Sequence, residues 1–322
     1  MADLFLSSFE KLRHSWQQIH RKANTRLLFS SPWWSESWFN YFGDDNELVL
    51  GAVEQGSEII GIAPLRLENN VLRFIGGSDV CDFLDFIIEP GKEDLFFTEL
   101  IGFIKKTAIK ELDLSPLLAE SAAMRFLRNL AATSGLEVSV MQDDKIVDLS
   151  LPDSLTEYLA ILSGKQRHEL LRKERRLSEE GDVIFRQNEQ ASESDLDTFL
   201  RFFRESRDDK RAFLTGIMES FFRSVIKMAA ENGMLRLGTL ELNSAPIAAT
   251  LCFDYQNDIY LYNSGYDPDY RWLSAGLLSK YYCIKDSIDR GKRRFDFLKG
   301  TEKYKFHLGG KEIPLYRCII KI

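Results

Sequence analysis

A chain of 322 residues, 44% apolar and 28% charged, has material for a sizeable core and is comfortable as two domains. Its formal charge of −7 argues against wholesale attachment to nucleic acid or to an anionic membrane, so no DNA partner is expected. No stretch approaches the roughly 20 consecutive apolar residues that span a bilayer, and Glu10, Lys11, Arg13 and His14 interrupt the early apolar residues, so the expected location is the cytoplasm.

In chain order, the periodicity predicts a helix over 4–22 with Phe5, Phe9, Leu12, Trp16 and Ile19 on one face. Ser31-Pro32 then opens a second helix, as cap and first-turn proline, carrying Trp33, Trp34 and Trp38. A three-stranded meander over 48–77 follows, with turns at Gln55-Gly56 and Asn69-Asn70. Amphipathic helices are expected over 93–107 and 121–134, with strands at 111–114 and 138–149. Leu151-Pro152-Asp153-Ser154 marks a boundary, since proline and a Ser/Asp cap start a new unit. Beyond it the pattern reads helix 154–162, helix 165–180, strand 182–187 and helices 193–207 and 216–232. A second meander over 235–265, a helix over 274–290 and strands at 293–298 and 313–321 complete the chain.

The two meanders look like copies. Leu50-Gly-Ala-Val-Glu-Gln-Gly-Ser57 is echoed by Leu237-Gly-Thr-Leu-Glu-Leu-Asn-Ser244, and Val71–Gly77 aligns with Ile259–Gly265 after one inserted residue. The fold class is therefore mixed α/β, with two tandem units divided as 1–150 and 151–322.

Cys81, Cys252, Cys283 and Cys318 are far apart and read as buried reduced thiols. The four histidines lack ligand spacing, so no metal is expected. The chemistry concentrates in the last sixty residues. There the aromatic strand at Tyr260 and Tyr262 runs through a polar turn into Arg271-Trp-Leu-Ser274-Ala275-Gly276 and a helix. A helix opened by small residues presents unpaired N–H groups that attract phosphate, and Arg271 beside such a start is unfavourable until an anion arrives. Tyr262 reads either as packing or as pocket. Asp296, a charge inside an apolar strand, needs a partner such as Arg293 or Arg294, or else a desolvated site as a base. The segment Lys165-Gln-Arg-His-Glu-Leu-Leu-Arg-Lys-Glu-Arg-Arg176 has six cations against two Glu and reads as a solvated basic face or an anion-binding wall.

Arg271-x-x-Ser274-x-Gly276 resembles the Arg/Gln-x-x-Gly-x-Gly/Ala loop with which GNAT-superfamily acyltransferases grip acyl-CoA pyrophosphate, Ser274 standing for one glycine. Asp296-x-x-x-Gly300-x-x-x-Tyr304-Lys305-x-x-x-Gly309 is similar to the signature of CelD-like acyltransferases associated with cellulose and other exopolysaccharides, and more distantly to FemAB aminoacyl transferases. The resemblance implies two GNAT-like units, each a largely antiparallel mixed sheet flanked by helices, with acyl-CoA (acetyl-CoA by default) held in the second by Tyr262, Arg271, Ser274, Ala275 and Gly276. It implies direct transfer to a sugar or envelope precursor, with Lys305 stabilising the oxyanion and Tyr304 and Asp296 beside it. Arg167, Arg172, Asp82 and Asp85 are then the acceptor contacts. Two rivals stand beside this: an aminoacyl-tRNA-dependent transferase, disfavoured by the acidic net charge and the lack of a long inserted helical arm, and a non-catalytic binding module.

Overall fold

The computed structural model describes residues 2–22, 27–44 and 46–322. Four tight turns decide the architecture. Asn69-Asn70 (φ 51° and 64°), Asn243-Ser244 (50° and 67°) and Gln256-Asn257 (50° and 68°) place both turn residues in the left-handed region. That twist suits a two-residue hairpin, and asparagine tolerates it. The fourth turn is Gly56-Ser57, one residue beyond the position expected, with Gly56 at φ 71°.

The chain divides into two compact units, Met1–Lys145 with Pro314–Ile322, and Ile146–Ile313. The first contains β1 (Ala2–Leu6), α1 (Phe9–Lys22), α2 (Pro32–Phe42), β2 (Glu47–Gln55), β3 (Glu58–Glu68), β4 (Val71–Phe74), β5 (Ile87–Ile88), α3 (Glu93–Ile104), β6 (Glu111–Leu118) and α4 (Arg128–Thr133). Its sheet runs β1-β2-β3-β4-β6, then the last strand of the chain, with β5 beside β3. The helix expected over 4–22 starts only at Phe9. Residues 2–6 form β1, antiparallel to β2 from Ala2↔Gln55 to Leu6↔Gly51. Edge pairing overrides the helical spacing there, and Phe5 is left exposed while Leu12, Trp16 and Ile19 stay buried.

The second unit contains the end of β7 (Glu137–Ser150), α5 (Leu155–Ile161), α6 (Gly164–Glu179), β8 (Val183–Asn188), α7 (Glu193–Ser206), α8 (Asp208–Phe213), α9 (Gly216–Glu231), β9 (Leu235–Leu242), β10 (Ala245–Tyr255), β11 (Asp258–Tyr266), α10 (Ala275–Asp289), β12 (Arg294–Lys299), α11 (Lys303–His307) and the start of β13 (Lys311–Lys321). Its sheet order is β8-β9-β10-β11-β12-β7. Ser154 caps α5 through Glu157 N–H, and Ser163 with Gln166 forms a capping box on α6. The short helices α8 and α11, of six and five residues, are too brief for periodicity to reveal.

Both units share one plan: an antiparallel meander, a helix crossing over, and a strand returning parallel to the third meander strand. The returning pairs are β4–β6, joined through α3, and β11–β12, joined through α10. In the second unit α10 is the central packing element. Its Leu278, Tyr281, Ile284 and Ile288 join Ile247, Ile259 and Leu261 of the sheet and Leu170 and Leu177 of α6 in one core.

In the first unit the C-terminal strand is pinned by Asp113 of β6. This buried carboxylate takes two hydrogen bonds from Arg317, at 2.7 and 2.6 Å, and pairs with Arg73 as well. Asp113→Ala leaves two guanidinium groups facing an empty partner position. It should cost about 3–5 kcal/mol in denaturant unfolding, the scale for breaking a buried ion pair from one side. A loss under about 1 kcal/mol would mean the strand is held by its backbone ladder alone.

Candidate functional site

The passage from β11 into α10 is built by local turn chemistry. Asp267 accepts from Asp269 N–H at 3.0 Å, Pro268 starts a 3₁₀ turn through Leu273, and Ser274 makes the corner at φ 59° and ψ 32°. Leu277 and Leu278 N–H both turn back to Ser274 O, at 2.9 and 3.0 Å. That leaves the Ala275 and Gly276 N–H groups as open donors at the start of a 15-residue helix. A Cβ on Gly276 would lie 2.7 Å from Tyr266 Cδ1, so only glycine lets the helix start this close to the end of β11.

In front of this corner lies a cavity of about 300 Å³. Arg271, Ser274, Gly276, Leu277 and Lys280 line it from the α10 side, Ser264 and Tyr266 from β11, Ser206, Arg207 and Lys210 from the α7–α8 junction, and Glu302 and Tyr304 from α11 and its approach. Arg271 is exposed and makes no ion pair among the described residues. Lys280 is buried, folds back to donate to Gly276 O at 2.6 Å and lies 4.8 Å from the Tyr304 ring centroid. Burial, then the nearby Lys210, lowers its pKa to about 7. Lys210 donates to Ser264 O and is lowered to about 8 by burial and then Arg207. Burial by itself would raise Glu302, yet Lys305 and Arg207 outweigh it and hold the carboxyl below its ordinary value. Burial raises the Tyr304 phenol far above its usual range, so it stays a hydrogen-bond donor.

Of the residues singled out in the sequence, Arg271, Ser274, Gly276 and Tyr304 meet at this cavity, with buried Ala275 supplying an open N–H beside them. Others are placed elsewhere. Tyr262 does not line it; its ring packs at 5.5 Å from Phe222 and 5.4 Å from Phe253. Lys305 is buried and aims its ammonium into the turn after β12, donating to the carbonyls of Leu298, Lys299 and Gly300 and pairing with Glu302 at 3.0 Å. Asp296 accepts from Leu298 N–H at 2.8 Å, across the bulge where Leu298 takes φ 60°, while Arg294 pairs instead with Asp148 at 2.8 Å. These two residues stitch a left-handed turn, and this geometry directs no Lys305 donor into the cavity.

The basic helix α6 does not form an arginine clamp. Arg172 is tied to Glu169 at 3.0 and 2.9 Å, and Arg167 donates to Leu159 O at 3.3 Å. Instead Lys173 reaches Ser274 Oγ at 3.2 Å, and Arg176 lies 4.9 Å over the exposed Trp272 ring. In the first unit, Asp85 is buried and accepts from the N–H groups of Phe86, Ala122 and Ala123, at 2.9, 2.6 and 3.1 Å. It holds the turn before the helical segment 123–133 together, and burial pushes its pKa up to about 7 against those bonds. Asp82 is half-buried in the same unit. Sequence reasoning missed Arg207, Lys210, Lys280 and Glu302. Lys280 left one signal: it lies four residues after Gly276, within the largely apolar and aromatic Leu277–Ile284 run of α10. Among the described residues no His/Cys/Asp/Glu group would hold a metal ion, and no helix is long and apolar enough to cross a membrane.

Residues 164–306 match the family described as acetyltransferase (GNAT) domain. That stretch contains every residue lining the cavity, and a GNAT acetyltransferase domain there supports an acyltransferase. No curated protein matches the sequence. Among solved structures, the fold is similar to FemX, at TM-score 0.66 and 12% identity over 98% of this chain and 96% of that one. It is also similar to L-PGS from Bacillus licheniformis, at 0.59 and 10% over 95% and 90%. A tandem GNAT protein from the clavulanic acid biosynthesis pathway follows at 0.51 and 11%, over 99% and 98%. Two tandem GNAT-like units thus describe the fold class.

Lys305→Met tests the stitching. Removing the ammonium strands three carbonyls and one carboxylate, and should lower stability by about 3 kcal/mol or more in thermal or denaturant unfolding. A variant as stable as the parent would free Lys305 for a role in the cavity.

Proposed function

We propose that the protein is an acyl-CoA-dependent N- or O-acyltransferase, with acetyl-CoA as default donor, acting on a sugar or cell-envelope precursor in the cytoplasm. The observation that carries the donor assignment is the α10 start: two open N–H groups, on Ala275 and Gly276, with Gly276 and an Arg271 that makes no ion pair among the described residues lining one cavity. Open helix donors and an unpaired guanidinium suit a pyrophosphate. Ser274, Ala275, Gly276 and Arg271 would hold it, and the match to the acetyltransferase (GNAT) domain supports that assignment. Acyl-CoA would supply the thioester, with the CoA thiol as leaving group. The chain contributes orientation and, through the protonated Tyr304 phenol facing the cavity, a donor for developing negative charge. Lys305 and Asp296 act through the loop that carries Tyr304. The acceptor class rests on the likeness of the 296–309 segment to CelD-like proteins.

A second reading has specific support. FemX and L-PGS are among the similar structures, and the basic face of α6 reaches the cavity corner through Lys173. An aminoacyl-tRNA donor would use those same cations.

Calorimetric titration with acetyl-CoA and with tRNA separates the two. The donor reading expects saturable acetyl-CoA binding that Arg271→Ala weakens by about 1–3 kcal/mol, the loss of a charge-assisted hydrogen bond. Unchanged affinity in that variant removes the pyrophosphate from this corner. Binding of tRNA without acetyl-CoA would transfer the assignment to the aminoacyl reading.

A further inference from the structure

Lys280 is a buried cation with little to balance its charge. The residue is 6% exposed, yet among the described residues no carboxylate lies within ion-pair distance of it. It has one carbonyl acceptor, Gly276 O, and one ring face, Tyr304. The groups around it give little counter-charge. Lys210, with Arg207 beside it, faces it from the α7–α8 junction, and Arg271 lines the same cavity. Burial keeps the Cys252 thiol of β10 and the Tyr304 phenol protonated, and the Cys283 thiol lies on its own helix. Glu302 is the one carboxylate lining the cavity, and it already pairs with Lys305 at 3.0 Å.

An ammonium so placed pays desolvation with almost no compensating charge. A neutral amine can still donate one hydrogen to Gly276 O. A dianionic phosphate entering the cavity reverses that balance, because an opposite charge a few ångströms away in a low-dielectric site strongly favours the ammonium.

We propose that Lys280 is a charge-switching ligand contact: neutral before a ligand enters, it takes up a proton from solvent as a phosphate-bearing ligand binds and becomes that ligand's buried counter-ion. Lys210, lowered to about 8, takes a smaller share of the same response. The consequence is a donor site whose affinity is tied to proton uptake, a property Arg271 on the exposed rim cannot confer. The inference rests on the donor-site reading only in taking CoA as the phosphate-bearing ligand.

The experiment is calorimetric titration of CoA above about pH 7.5, where the phosphate monoester is already dianionic, in amine and non-amine buffers of different ionisation enthalpy. Wild-type protein should take up on the order of one proton per CoA bound, and its affinity should fall by up to about tenfold per pH unit in that range. Lys280→Met, which keeps the volume, should lose most of the uptake and most of the slope. Lys280→Arg, charged throughout, should bind CoA with a flat profile and covers the case in which the methionine variant does not fold. CoA binding without proton uptake, or uptake unchanged in Lys280→Met and Lys280→Arg, overturns the inference. Inorganic pyrophosphate is titrated in parallel. If it binds with proton uptake and CoA does not bind, the switch stands and the acyl-CoA reading falls; if neither binds, both fall.

Discussion

The site depends on how one buried ammonium is satisfied. Lys305 spends its donors on three successive carbonyls, Leu298, Lys299 and Gly300, and a lysine has no more than three N–H groups to give. Those carbonyls converge only because Leu298 and Gly300 take φ values of 60° and 95°. A leucine in that region is strained, and the strain persists because Asp296 binds the Leu298 N–H from the other side. The reward for this arrangement is a chain reversal directly after β12 that sets Glu302 and Tyr304 on the cavity wall. Two members of the signature, Asp296 and Lys305, hold the turn, while a third, Tyr304, reaches the cavity wall beside Glu302.

The two units share a strand plan but differ where an anion would sit. The first unit's crossover helix, α3, begins with Glu93 and Asp94 in its first turn, and Lys92 offers no side-chain cap. Two carboxylates there already serve the helix dipole and would repel a phosphate. The corresponding helix of the second unit, α10, has no acid in its first turn and an arginine just before it. Acidic residues in one helix start and their absence in the other are enough to make the duplicated fold asymmetric in charge. The first unit's Asp85 belongs to the same contrast: it closes the N–H groups of Ala122 and Ala123, whereas those of Ala275 and Gly276 stay open.

The meanders, the tandem plan and the α10 corner were legible because each rests on short-range rules. Asn-Asn and Asn-Ser force left-handed turns, and Asp-Pro starts the 3₁₀ turn wherever it stands. The surroundings of Lys305, Asp85 and Tyr262 were not legible, because they depend on partners that pattern does not reveal: carbonyls a few residues back for Lys305, amides 37 residues on for Asp85, a phenylalanine 40 residues back for Tyr262. Periodicity also merged β1 with α1, since five residues that pair along a sheet edge can carry spacing compatible with either element. Lys280 went unnoticed because a lysine on an amphipathic helix is ordinarily on its wet side.

Ser274 shows how a departure from a family pattern can be absorbed. The corner needs a left-handed residue, where glycine costs nothing and serine costs about 1 kcal/mol. At a helix start a serine hydroxyl would ordinarily turn inward and cap the N–H two or three residues on, closing the donors a phosphate needs. Here the left-handed backbone goes with no such cap, and the Oγ accepts from Lys173 at 3.2 Å instead. The helix donors therefore remain open, and α6 gains a polar tether to the corner that glycine would not provide. The substitution moves the local cost from the anion site to the backbone, where the 3₁₀ turn and the packed face of α10 already hold the conformation in place.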